Sequence, residues 1–577
     1  MQTSSAENST SLLDHSYSTA GTSMSPDKKS LKRNLSTVED KLTCTRKKVK
    51  LLLQSKRRLV KKNANVTNMI AELEKQKLMG ANSLAVLEKS AGGVKDLISR
   101  HISKQQGNML PASYSPELRT FALTLHFYSP HAYRYVRKVF NTCLPHPRTI
   151  ERWYSSIDGR PGFTDAAFSA LQARTAASPK PLYCALIVDE MAIRQKVEYD
   201  GTEYRGYIDL GTGLNDDSLP MAKEALTFMV VAFNDSFKLP IGYFLVDGLG
   251  AVERANLVNQ CISKLFSVGL NVCSFTFDGA ASNLAMASKL GCSFDMNNFK
   301  TVFSHPECNE PVAVFLDPCH MLKLVRNTLA DKKSLVDENN QFVNFEYLER
   351  LHKLQESEGL HLGNKLRASH MAWFKKKMNV KLAAQLLSDS VATSSEFCLK
   401  EQIPGFEGCS ATINFVRMFN DLFDVFNSRN LHAHGFKRPL QVSNYVEYYS
   451  FLMTARSYLT NLRESVNGKL MTDSNCKTGF LGFVICIDSL IVLYKRLVDS
   501  STAAMSFICT YKFSQDHTEL FFGKIRSLFG FNNNPSATQF CSAYRKLLVH
   551  NEIDDVLRGN CLPLECSNIN CVQFMPC

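Results

Sequence analysis

Apolar runs and helical periodicities divide the chain into a β-rich stretch flanked by helical ones. The run 182–188 is almost wholly apolar and ends in Asp189-Glu190, and the run 272–277 ends likewise in Asp278-Gly279. Runs of that length bounded by turn residues read as buried central strands. Further strand patterns cover 204–210, 227–234, 241–247 and 312–317, with a helix predicted over 253–268. Strands joined by short turns, followed by a helix and more strands after crossovers, predict a mixed sheet with an antiparallel edge. Ribonuclease-H-like folds have that order, and 180–328 is assigned to the first part of such a domain.

The flanks are helical. Upstream, 116–128 and 131–140 are separated by Ser129-Pro130, and Pro147 suits the first turn of a third helix carrying Arg148 and Arg152. This predicts a helix-turn-helix over 110–160, with Arg148 and Arg152 along DNA phosphates or, alternatively, a three-helix unit that only packs against a neighbour. Earlier still, Val38, Thr45, Leu52, Leu59, Val66 and Leu73 mark one heptad position, and Leu42, Val49, Lys56, Asn63, Ile70 and Lys77 the other. The seam predicts a basic dimerising coiled coil over 38–80, with Asn63 setting register; a solitary amphipathic helix is the alternative. Residues 1–37 are rich in Ser and Thr and are expected to be disordered. Downstream, 345–354, 368–387, 411–426, 445–464 and 479–497 have helical spacing and predict a helical insertion domain over 329–503. The stretch 479–494 is too short for a bilayer, which needs about 20 apolar residues, and carries Asp488, so it reads as a buried helix.

Charge adds a partner. With 67 Lys and Arg against 54 Asp and Glu, the net charge of +13 favours a polyanion, most simply nucleic acid. At 577 residues and 45% hydrophobic content the chain is long enough for several domains. The 18 cysteines contain no Cys-x-x-Cys pair and no secretory leader precedes them, so they read as reduced intracellular thiols. Cys561, Cys566, Cys571 and Cys577, in a tail over 551–577, are expected to be loose thiols rather than zinc ligands. The clusters Arg46-Lys47-Lys48-Val49-Lys50 and Lys56-Arg57-Arg58 are of the nuclear-import kind, with a solvated charged face as the alternative.

The candidate chemistry lies in acids at strand ends. Asp189 and Asp278 each close a strand, and Glu519 follows on a helix opened near Asp516. Two strand-end acids and a helical acid suit a pair of Mg²⁺ ions, which take hard oxygen ligands and are clamped roughly 3.5–4 Å apart. A turn-capping acid is the alternative for either aspartate alone, and Asp516 is the substitute for Glu519. The gap from Asp278 to Glu519 exceeds the rest of a compact domain, which is why an insertion is expected, with the catalytic fold resuming over 504–550. Asp317 is a fourth acid. Beyond it His320, Lys323 and Arg326 fall at steps of three, one basic helical face expected to grip a DNA backbone or merely to be solvated.

These strings resemble the P-element and THAP-domain family of cut-and-paste DNA transposases. The matching pieces are Val188-Asp189-Glu190-Met191 with Val197-Glu198-Tyr199-Asp200, Phe303-Ser304-His305-Pro306, Asp317 through Asn327, Val380 through Ser388, Phe419 through Ser428, and Gln515-Asp516 with Glu519 and Phe521-Phe522-Gly523. The resemblance implies a ribonuclease-H-like DDE domain interrupted by a helical insertion, after a coiled coil and a helix-turn-helix. It places the metal-binding triad on Asp189, Asp278 and Glu519, with Mg²⁺ or Mn²⁺ as cofactor. It also implies GTP contacts at Lys365, Val380, Ser388, Asp424 and Asn427, with transposon ends and target DNA as partners. A homodimer or higher oligomer is expected through the coiled coil, nuclear location through the basic clusters, and no membrane attachment. The zinc finger with which family members usually begin is not found before Cys44. The alternative function is therefore a domesticated, catalytically silent DNA-binding or scaffold protein.

Overall fold

The computed structural model describes residues 91–201, 203–212, 218–359, 362–499, 504–549 and 568–569, which belong to one compact unit. The segments 1–37 and 38–80 and the tail cysteines lie outside the described residues.

Four helices open it: α1 (Ala91–Gln105), α2 (Pro116–Tyr128), α3 (Pro130–Val139) and α4 (Pro147–Ser155). Ser115 and Ser129 start α2 and α3 by accepting the backbone N–H groups of Leu118 and Ala132, and each helix has proline in its first turn, where no donor is lost. The expected three-helix unit is thus joined by α1, which no sequence pattern announced. Gly93 lets it sit directly on α2, because a Cβ there would overlap the carbonyl of Glu117.

The core is a mixed sheet of β1 (Gly162–Phe163), β2 (Leu182–Ala192), β3 (Glu224–Ala232), β4 (Phe237–Val246), β5 (Leu270–Phe277), β6 (Val302–Ser304) and β7 (Pro311–Leu316). The order is β1-β4-β3-β2-β5-β7-β6, with Asn568–Ile569 pairing beside β4. β2, β3 and β4 form an antiparallel meander, whereas β5 and β7 run parallel to β2 in sequence across the sheet. Helices α5 (Asp165–Ala177), α6 (Ala251–Ser267) and α7 (Ala281–Leu290) make the connections. Parallel strands covered on both faces need continuous apolar runs, and β2, β5 and β7 have them.

The run 204–210 is not one continuous strand. Tyr204–Arg205 pairs in a small hairpin with Glu198–Tyr199, and beyond it Tyr207 and Asp209 make isolated bridges to Met221 and Leu245; Gly206 turns at φ +123° against the Lys196 carbonyl and Arg205 is tied to Asp200 and Glu203.

Beyond β7 run α8 (Pro318–Lys332), α9 (Glu346–Glu358), α10 (Ala368–Met371), α11 (Val380–Leu386), α12 (Asp389–Lys400), α13 (Ser410–Phe426), α14 (Tyr445–Asn461) and α15 (Thr478–Leu497). The expected single helix 368–387 is broken between α10 and α11, where Asn379 begins a new helix by accepting the Leu382 N–H. α12 was missed, its sequence being too polar to show a stripe. α15 is buried along its length and lies on β7, with Ser489 Oγ donating to the Val314 carbonyl at 2.5 Å and Arg456 held to Asp488 at 2.8 Å. None of the described helices is long and apolar enough to cross a membrane. The chain returns to the sheet through α16 (Asp516–Ser527), followed by α17 (Ala537–Val549).

Candidate active site

The register of three parallel strands builds the site. Ile187 is paired with Thr276, and Phe277 with Leu316. One or two residues further along each strand, Asp189 stands beside Asp278 and Asp278 beside Asp317, on strands about 4.8 Å apart. Three carboxylates thus leave one edge of the sheet in a row.

α16 is pinned across that edge. Gln515 Nε2 donates to the Val188 carbonyl at 2.8 Å, and Thr518 Oγ1 donates to Asp189 Oδ2 at 3.1 Å. Asp189 Oδ1 accepts the Glu190 N–H at 2.9 Å. Glu519 follows Thr518 on the partly exposed side of the helix. Burial pushes the Asp189 carboxyl well above the usual carboxylate range, and the charges of Glu519 and Asp278 push it further, against an opposing contribution from His320. Glu519 and Asp278 are therefore both close enough to act on Asp189.

Asp278 is held from behind by residues that sequence reasoning missed. Its Oδ1 accepts from Asn283 Nδ2 at 2.6 Å and from the Ala280 N–H at 3.0 Å. Asn283 Oδ1 in turn accepts from Arg254 Nη1 at 3.3 Å, and Arg254 pairs with Glu190 at 2.5 Å. Arg254 is 4% exposed. The available signal was its spacing, since Arg254 shares a helix face with buried Val258, Cys261 and Leu265, where a charge needs a partner.

Asp317 is committed to structure. Oδ1 accepts from Ser514 Oγ and the Gln515 N–H, and Oδ2 from the N–H and Nδ1 of His320, both at about 3 Å. Burial would raise the Asp317 carboxyl, but the hydrogen bond and charge of His320 outweigh it and the net shift is downward. Burial would lower His320, but Asp317 outweighs it, with a smaller contribution from Asp189, and the imidazole is shifted upward. Asp516, the candidate substitute for Glu519, is buried, pairs with Arg429 at 3.2 Å and accepts from Cys319 Sγ.

The donor set is all carboxylate oxygen, which fits Mg²⁺ or Mn²⁺ rather than a softer ion. Among the described residues no three His, Cys, Asp or Glu side chains converge on a single point. Two ions sharing three carboxylates require only two protein donors each, with waters and phosphate oxygens completing the shell. Burial and the neighbouring charges of Glu519 and Asp278 raise Asp189, and bound cations would offset both, so the residues fit the group.

Of the expected basic residues, Arg148 and Arg152 are exposed one turn apart on α4. The face of His320, Lys323 and Arg326 does not meet solvent as expected. Lys323 is 5% exposed, and Arg326 is fully buried, donating to the carbonyls of Lys376 and Lys377. α8 packs between α15 and α11, which covers that side. In the insertion, the Asp389 N–H donates to Asn420 Oδ1 at 3.1 Å, setting the Ser388 end of α12 one turn from Asp424 on α13. Burial raises the Asp424 carboxyl to about 6, with Lys437 at 3.6 Å opposing. Val380 is buried, Asn427 Oδ1 accepts from Arg429, and Lys365 is exposed on the loop before α10.

Four family models match in chain order. They are described as Transposable element P transposase-like, HTH domain (72–153), TNP-like, RNase H N-terminal domain (159–291), TNP-like, GTP-binding insertion domain (319–439) and TNP-like, RNase H C-terminal domain (511–545). The human DNA transposase THAP9 is 34% identical over 453 residues, 77% of this chain and 49% of that protein. The chain is strongly homologous to P-element-type transposases. The Drosophila melanogaster transposable element P transposase is 26% identical over 457 residues, 76% of this chain and 54% of that one. The chain therefore spans about half the length of the curated relatives it matches. A solved structure, the Drosophila P element transposase strand transfer complex, shares the fold with a TM-score of 0.65 at 24% identity, covering 78% of this chain and 95% of that one. In this chain Asp189 and Asp278 fall in the first ribonuclease-H match and Glu519 in the second.

Proposed function

We propose that this chain cleaves DNA and joins the freed strand to target DNA, with Asp189, Asp278 and Glu519 holding a pair of Mg²⁺ or Mn²⁺ ions. The observation that carries the reading is the meeting of two aspartates, each two residues past the last register pair of β2 and β5, with the helix of Glu519, near enough for its charge to contribute to raising Asp189. Such ions, when bound, activate a water or 3′ hydroxyl and offset charge on the leaving oxygen. Thr518 and the Glu190 N–H orient Asp189, while Asn283 and the Ala280 N–H engage Oδ1 of Asp278. Arg148 and Arg152 are proposed phosphate contacts of the helix-turn-helix, and a homodimer acting in the nucleus is the proposed setting. Guanine nucleotide is the proposed second ligand, recognised by Asp424 with Ser388, Asn427, Val380 and Lys365 around it; an ionised Asp accepts two hydrogen bonds from the N1 and N2 edge of guanine.

The test is nicking and joining of labelled DNA by the purified chain in Mg²⁺ or Mn²⁺, with Mn²⁺ titrated calorimetrically in parallel. Asp189→Asn is expected to lose both activities and most Mn²⁺ affinity. Unchanged cleavage in that variant would overturn the site.

A further inference from the structure

We infer that the loop 373–378 is a DNA-binding element of the insertion, taking phosphates on Lys375, Lys376 and Lys377 and stacking an unpaired base on Phe374. The inference rests on the DNA-joining reading above and adds a contact surface to it.

Arg326 is the starting point. Its buried Nη2 donates to the carbonyls of Lys376 at 3.1 Å and Lys377 at 3.2 Å, and Asn327 Nδ2 reaches the Lys377 carbonyl at 3.3 Å. A guanidinium anchored from within grips the loop by its backbone, so the loop is held in shape while its side chains remain outside. All three lysines are exposed, Phe374 is 57% exposed and Met378 62%. Lys375 lies over the Phe374 ring at 5.8 Å and Lys377 over the Trp373 ring at 5.6 Å.

Three consecutive lysines would satisfy solubility by themselves, and an exposed aromatic ring among them would not. Rings interleaved with cations are the arrangement that binds single-stranded nucleic acid, since every base offers a face and every nucleotide a phosphate. The loop is also well placed. Trp373 and Lys377 line a cavity of about 290 Å³ with Leu324 and Thr478, and Thr478 packs against Gly279, the neighbour of Asp278. Along α8, Arg326 is nine residues from Asp317, about 13 Å at 1.5 Å per residue, or some four nucleotide steps. The loop therefore meets DNA flanking the acids and not the bond between them.

The experiment compares the full chain, a Lys375→Glu/Lys376→Glu/Lys377→Glu variant, Phe374→Ala and Asp189→Asn. Binding to a labelled blunt duplex and to the same duplex with a single-stranded extension is measured across salt concentrations. The lysine variant is expected to bind both at least tenfold more weakly, with a log–log salt slope shallower by about 2 to 3. Phe374→Ala should bind the extended duplex about tenfold more weakly and the blunt one as wild type does. Asp189→Asn should fail to cleave. Thermal melting checks folding, and Lys→Gln replacements at the same three positions, expected to shift the slope in the same direction, serve if the Glu variant melts early. Loop variants that bind both DNAs like wild type would overturn this inference and leave the DNA-joining reading standing. A wild-type chain that neither binds nor cleaves DNA would overturn both.

Discussion

At the scale of single residues, the acids are sorted by what stands behind each one. Asp317 and Asp516 carry the same carboxylate as Asp189 and Asp278, yet hydrogen bonds and an ion pair commit both to structure. Asp278 is kept by Asn283, whose amide is fixed by Arg254. Asn283→Leu should therefore lower Mn²⁺ affinity about 10- to 100-fold in calorimetry while the melting curve stays cooperative. The pair of Asp317 and His320 predicts a pH window. The raised His320 stabilises the fold fully below its unfolded value of 6.5 and loses that contribution as pH rises through its higher folded value. The lowered Asp317 contributes fully above 3.8 and loses it as pH falls through its lower folded value. Chemical denaturation of His320→Ala against wild type should show a difference of about 2 kcal/mol that is largest between those two values and smaller on both sides.

At the scale of elements, close approach of α15 and α8 sets the ground behind the site. A Cβ on Gly279 would overlap Thr478 of α15, and one on Gly482 would overlap Met321 of α8. Each is a crowding of packed side chains, so Gly482→Ala should cost about 1–3 kcal/mol, read as a lower melting temperature. Gly279→Ala should add a loss of cleavage out of proportion to its melting shift, because it displaces the turn that carries Asp278. The strand runs 182–188 and 272–277 were legible because parallel buried strands demand unbroken apolar sequence. The run 204–210 misled because local ion pairs and a left-handed glycine outweighed its apolar members. Helix 368–387 was broken by a partner distant in sequence: Arg326 on α8 holds the carbonyls of Lys376 and Lys377 where the helix would have continued.

At the scale of the molecule, the insertion and the sheet form one packed unit, so nucleotide bound by one can bear on the other. Burial holds Asp424 near 6, and a carboxylate that must accept from guanine is lost as pH falls through that value. Affinity for a fluorescent GTP should fall about tenfold per pH unit below 6, and Asp424→Asn should flatten the profile. The same upward shift means that Asp424 itself costs the empty fold stability as pH rises through about 6. The sequence by itself determined where the strands end and that each ends in an acid, because burial imposes the apolar run and only its terminus can carry charge. It also indicated a long insertion, from the distance between Asp278 and Glu519. Only the tertiary structure decided which acids face the site and which are enclosed, and that a row of basic residues on α8 faces inward. Those outcomes depend on what packs against each helix, a property of contacts between distant segments that no local spacing records.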